Sequence, residues 1–164
     1  MNEITRRPSR FGIGLALTLA LLSVVATALA STVGAATSLV GVLALATGLL
    51  AASQRVVSIG SGLQIVGVLY AGYIGGSPEP LLVGGLTGVL AWDAASNAIA
   101  IGDQLGRETS TVRAETVHSA ASLAVGSLAV VVGYAVFAAA AGSQPLAALL
   151  LLAGGAVALV TGLR

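Results

Sequence analysis

Apolar residues run along this chain in blocks of about twenty, set apart by short polar breaks, and that spacing predicts membrane-crossing helices. A helix spanning a ~30 Å hydrocarbon core needs roughly 20 apolar residues. Phe11 to Ala52 carries no charge, a stretch too long for one crossing and right for two, with Ser31, Thr32 and Gly34 turning the chain between them. Arg55 precedes a third block. Gly75-Gly76-Ser77-Pro78-Glu79-Pro80 breaks the pattern, because paired glycines and prolines do not continue a helix. Gly142-Ser143-Gln144-Pro145 is a second break of the same kind. The spans expected are 11–30, 33–52, 56–75, 81–101, 117–141 and 146–163, with a polar hairpin at 102–116. Period-two alternation is absent, which argues against a barrel, so the fold class expected is all-α. The whole chain, 1–164, reads as a single transmembrane domain, a polytopic helix bundle.

Charge placement orients these spans. Arg6, Arg7 and Arg10 precede the first, Arg55 lies between the second and third, Arg107 and Arg113 between the fourth and fifth, and Arg164 ends the chain. With six spans all seven arginines fall on one side, and only Glu79 falls on the other. The arginine bias then puts both termini and the 102–116 hairpin in the cytoplasm. An alternative reading of the start remains open. The arginines, the apolar run and Ala28-Leu29-Ala30 before Ser31 also resemble a cleaved secretory signal, although the run exceeds the usual core of about 7–15 residues. Cleavage there would leave five spans in the same orientation.

Composition narrows the class. The chain is 57% hydrophobic and 8% charged, too few polar side chains to cover a water-facing surface. It has no cysteine, which removes disulfides and thiol chemistry. A net charge of +1 without a basic stripe points away from nucleic acid. Small residues recur at four-residue spacing at Ala26, Ala30, Gly34 and Ser38, at Gly72 and Gly76, and at Gly84 and Gly88, ridges that suit close packing within one chain or between copies. Phe11, Tyr70, Tyr73 and Trp92 sit where interfacial anchors belong, and Tyr134 and Phe137 approach the outer end of the fifth span.

The segment from Trp92 to Ser122 departs from a plain bundle. Asp93 lies inside the fourth span, where a carboxylate is costly unless paired, protonated or wetted. Asn97 follows one turn later on the same face, and Gln64 lies at matching depth on the third span, so an Asp93–Gln64 bond is expected, within a polar cluster of Asp93, Asn97 and Gln64. At 100° per residue Asp93, Ser96, Asn97, Ala100, Gln104, Arg107 and Glu108 share one face, and Ala94, Ala95, Ala98, Ile99, Ile101 and Leu105 the other. Thr109, Ser110 and Thr111 supply turn and N-cap chemistry, and the next helix places Thr111, Glu115, His118 and Ser122 on one face before it enters the fifth span. Folding back about residue 109 sets Ser122 opposite Asn97 and Glu115 opposite Asp103. Gln104, Arg107, Glu108, Arg113, Glu115 and His118 form the candidate partner surface. One histidine among scattered carboxylates lacks metal-site spacing, no phosphate-cradling motif occurs, and no Ser-His-Asp arrangement can be inferred from sequence. Neither enzyme activity nor a cofactor or metal is expected.

The runs Trp92-Asp93-Ala94-Ala95-Ser96-Asn97-Ala98, Gly102-Asp103-Gln104-Leu105-Gly106-Arg107-Glu108 and Arg113-Ala114-Glu115-Thr116-Val117-His118-Ser119-Ala120-Ala121 resemble a segment of an uncharacterised family of small haloarchaeal membrane proteins. Members of that family tend to be encoded beside MoxR-type ATPases and von Willebrand-type domain proteins. The resemblance covers about a quarter of the chain and implies a haloarchaeal plasma membrane and an accessory role beside such an ATPase. It implies no activity, substrate or catalytic residue. The function expected is a non-enzymatic membrane scaffold that meets partners through 102–117. The alternative is a small ion- or proton-coupled transporter or channel using Asp93.

Overall fold

A computed structural model of the chain describes residues 7–105 and 111–140. These form five helices and no strand: α1 (Arg10–Ala28), α2 (Thr32–Leu50), α3 (Gln54–Tyr73), α4 (Pro78–Leu105) and α5 (Val112–Ala140). The fold class is therefore all-α. Arg6, Arg107, Glu108, Arg164 and the sixth expected span, 146–163, lie outside the described residues. Arg10–Ala28, Thr32–Leu50, Gln54–Tyr73 and Val112–Ala139 are long and apolar enough to cross a membrane. α4 has 28 residues, a length of about 42 Å at 1.5 Å per residue. Asp93, Ser96 and Asn97 make its second half less apolar.

Local chemistry sets each boundary. Ser9 and Ser31 cap α1 and α2, their hydroxyl oxygens accepting from the N–H groups of Gly12 and Gly34 at 3.0 Å. α2 and α3 end alike. Ser53 N–H bonds Gly48 C=O and Ala52 N–H bonds Leu49 C=O, while Gly76 N–H bonds Ala71 C=O and Gly75 N–H bonds Gly72 C=O. Each is a Schellman closure with one residue in the left-handed region, Gly75 at φ 88° and Ala52 at φ 49°. One helix start differs from the sequence expectation. α4 begins at Pro78, not 81, because prolines in a first turn forfeit no intrahelical bond and Glu79 there opposes the positive end of the helix dipole. α5 begins at Val112, ahead of the expected span 117–141, in line with a helix that starts after Thr109 to Thr111 and then enters that span.

α1 to α4 close a ring, α2 packing on α3 and α1 on α4, with α1 on α2 and α3 on α4 completing it. Neighbours run antiparallel. On α2 the glycines at 34, 41 and 48 meet α3 backbone at Gly67, Gly60 and Val57, and a Cβ at any of them would lie within 2.6 Å of a backbone atom. The spacing is seven, not four. Ala26, Ala30, Gly34 and Ser38 do not form one helical ridge, because the chain turns between Ala28 and Thr32. Gly84 and Gly88 do face α1, at Thr27 and Ser23. Ser23 also donates its hydroxyl to the Gly84 carbonyl at 2.7 Å. Ala16, Ala20, Val42, Leu45, Leu49, Val57 and Ala91 build the apolar centre together with Ala94, Ala95 and Ile99, the side of α4 that the helical pattern assigned to packing.

The chain divides into compact units at Met1–Ser127 and Leu128–Arg164. The site described below belongs to the first. In the second, the Tyr134 and Phe137 rings stack with centroids 6.3 Å apart.

Candidate functional site

α1 starts and α4 ends at the same end of the ring, where Gly12 packs on Ala98. Residues 7–9, just ahead of α1, lie across α4 there. Ser9 N–H reaches the Ala98 carbonyl at 3.4 Å, and a Cβ on Gly102 would overlap the Arg7 carbonyl oxygen. Gly102 is thus the seat of this strap. Ser9 donates its hydroxyl to Glu115 Oε2 at 2.6 Å, and Thr111, just ahead of α5, donates to Oε1 at 2.6 Å. Glu115 is 2% exposed, and Ser9 and Thr111 are buried beside it. A buried carboxylate is costly unless hydrogen-bonded. Two short charge-assisted bonds offset that cost. So does the position of Oε2 over the first turn of α1, 2.6 Å from where a Gly12 Cβ would stand, at the positive end of that helix. One side chain therefore joins the strap, the start of α1 and the start of α5.

Asp93 lies on the side of α4 that meets α5. Ser122 donates its hydroxyl to Oδ2 at 2.7 Å, and His118 Nε2 stands 3.0 Å from Oδ2 and 3.2 Å from Oδ1. The side chains of His118 and Asp93 are 44% and 30% exposed, so the pair is open to its surroundings. Asp93 also lines a groove of about 230 Å³ whose walls are Phe11, Leu15 and Leu19 of α1, Leu90 of α4 and Leu123 of α5. Asp, His and Ser meet here, but not in the order of a hydrolytic triad. Ser122 and His118 both bond the carboxylate, so no imidazole is placed to take the serine proton. Among the described residues no group of three or more histidines and acidic residues could hold a metal ion.

Several expected positions move. Asp93 does not bond Gln64. The carboxylate is turned to α5, whereas Gln64 is fully buried on α3 and its carboxamide has no partner among the described residues. Asn97 sits one turn on from Asp93, half-buried. Ser122 pairs with Asp93 rather than facing Asn97, which shifts the α4–α5 register by one helical turn. Glu115 meets Ser9 rather than Asp103. Of the candidate partner surface, Gln104 and Arg113 are exposed, His118 is engaged with Asp93, and Glu115 is withdrawn into the clasp. Arg107 and Glu108 lie outside the described residues. Thr111 and Glu115, expected on one face of the helix that leads into the fifth span, are bonded to each other, whereas sequence reasoning missed Ser9. A serine or threonine just ahead of a helix is a capping signal, but nothing local shows that Ser9 also serves a glutamate 106 positions away. Trp92, expected as an interfacial anchor, donates its indole N–H to Ser58 Oγ at 3.2 Å across α3 and α4.

No curated protein and no solved structure matches the chain. A family model does match, over residues 6–160, so the likeness extends well beyond the segment from Trp92 to Ala121. The chain belongs to the family of unknown function DUF7519.

Proposed function

We propose that this protein is a non-enzymatic accessory subunit of a plasma membrane, a six-span bundle with both termini in the cytoplasm that engages partners through residues 102–117. α4 would be the fourth span, its half-buried Asp93 offset by Ser122 and His118, and 146–163 the sixth. The observation that carries the reading is the Glu115 clasp. It fixes the root of α5 against α1 and the strap, while Gln104 and Arg113 at the two margins of the 106–110 segment stay exposed. Exposed polar side chains next to an anchored helix start lose little entropy on docking. The family resemblance favours a haloarchaeal membrane and a MoxR-type ATPase system as the cytoplasmic partner.

The test is affinity capture from native membranes. Wild type is compared with a variant carrying Gln104→Ala, Arg107→Ala, Glu108→Ala and Arg113→Ala, with Glu115 kept because it is structural. Trp92, the chain's single tryptophan, reports folding through its emission. Loss of a reproducible partner with unchanged emission supports the reading, and an identical partner list in both samples removes it.

A second reading, ion or proton coupling at Asp93, is favoured by one observation. The carboxylate is half-exposed, lines a groove and is held by a titratable partner, His118. Asp93→Asn in proteoliposomes should then abolish a flux that wild type supports. Equal flux in both would end this reading.

A further inference from the structure

Gln64 sits in the middle of α3 with none of its surface exposed, and neither the oxygen nor the nitrogen of its carboxamide has a partner among the described residues. Ser61, one turn earlier on the same face, is 6% exposed and its hydroxyl is equally unpartnered. A carboxamide offers two acceptor and two donor positions. Buried polar groups in native interiors are paired with protein or with ordered water.

We infer that the bundle holds an internal water site at Gln64 and Ser61. The chemistry selects water over an ion. A cation would need an anionic neighbour, and the carboxylates of Asp93 and Glu115 are engaged by His118, Ser122, Ser9 and Thr111. An anion would need several convergent donors, and this place has one amide group and one hydroxyl. A water both donates and accepts, and it requires two to four polar partners. The Gln64 oxygen, the Gln64 nitrogen and the Ser61 hydroxyl supply three. Ser61 lines a groove of about 290 Å³ between α3 and α4, kept open by Gly62 and Gly88 and bounded by Ile65, Val89 and Trp92.

Through-space magnetisation transfer from water to side-chain amide protons, measured by NMR on the full chain in deuterated detergent, tests the site. Gln54 and Gln104 are exposed and serve as positive controls. Labelling leucine carbonyl carbon and glutamine nitrogen picks out the Gln64 backbone amide in wild type, since Leu63-Gln64 is the only Leu-Gln step in the chain, and the carboxamide is tied to that amide through the methylene protons of the same side chain. No folding-sensitive variant is needed for that assignment. The expected result is a water cross-peak at Gln64 despite its complete burial, weakened in Ser61→Ala. A silent Gln64 beside responsive Gln54 and Gln104 overturns the site. An unchanged peak in Ser61→Ala overturns the part given to Ser61.

Discussion

Ala52 and Gly75 close successive helices with the same pair of backbone hydrogen bonds, yet only one is the residue that the left-handed conformation prefers. A side chain in that region costs roughly 1–2 kcal/mol, so Ala52→Gly should stabilise the protein by up to about 1 kcal/mol once the greater freedom of glycine in the unfolded chain is deducted. Thermal unfolding in detergent, followed by Trp92 emission, would show it as a higher midpoint, and a lower one would mean that the Ala52 methyl packs usefully. Glu115 is the opposite case, a single side chain on which three segments depend. Ser9→Ala removes both the cap of α1 and one of the two donors to the carboxylate, and should cost about 1–3 kcal/mol. Ser9→Thr keeps the hydroxyl and should recover most of that loss. Equal stability of Ser9→Ala and wild type would mean that solvent reaches Glu115. At this scale the sequence was a partial guide. Asp93 and His118 stand out as ionisable groups at the margins of apolar runs, whereas the Ser9–Glu115 bond depends on how α1, α4 and α5 meet, which no local pattern encodes.

The helices themselves were legible because their causes are local. Twenty-residue apolar blocks and the Gly-Pro break at 75–80 mark five of the elements to within a few residues, and the apolar face of α4 follows directly from its 100° repeat. Partner choice and register were not, since a small residue marks where backbones can approach without naming the helix that approaches. The glycines of α2 and α3 make the point. Gly60 would drive a Cβ to 2.5 Å from the Leu45 backbone nitrogen, while Gly62, two residues on, has nothing within 4 Å. Gly60→Ala should therefore force α2 and α3 apart at a cost of about 1–3 kcal/mol. Gly62→Ala should be neutral or stabilise by up to about 1 kcal/mol through helix propensity. The contrast is measured by unfolding both variants under one condition. Similar losses at the two sites would mean that flexibility of α3, rather than its contact with α2, is what the glycines provide.

For the whole molecule the decisive question is which way the ring faces and how many times the chain crosses. Four described helices are long and apolar enough to cross, and α4, packed between α1 and α3, would join them if its Asp93 crosses with its hydroxyl and imidazole partners. The arginines argue for the complete count. Moving the second, third or fourth span out of the membrane would place Arg55 or the pair Arg107 and Arg113 on the side opposite Arg7 and Arg10, and moving the fifth would place Arg164 there, against the bias that orients membrane helices. Because the chain has no cysteine, single cysteines report sidedness without background. Gln54→Cys and Gln104→Cys, both at exposed positions, should react with a membrane-impermeant maleimide only after the cells are opened. Ser77→Cys, exposed in the turn between α3 and α4, and Ser143→Cys should react in intact cells. Reaction of Gln104→Cys from outside would mean that α4 does not cross, which would remove the cytoplasmic partner surface along with the fourth span. Reaction of Ser77→Cys only after opening would invert the ring, and the strap, the Glu115 clasp and the Asp93–His118 pair would then face the exterior, where a cytoplasmic ATPase could not reach them.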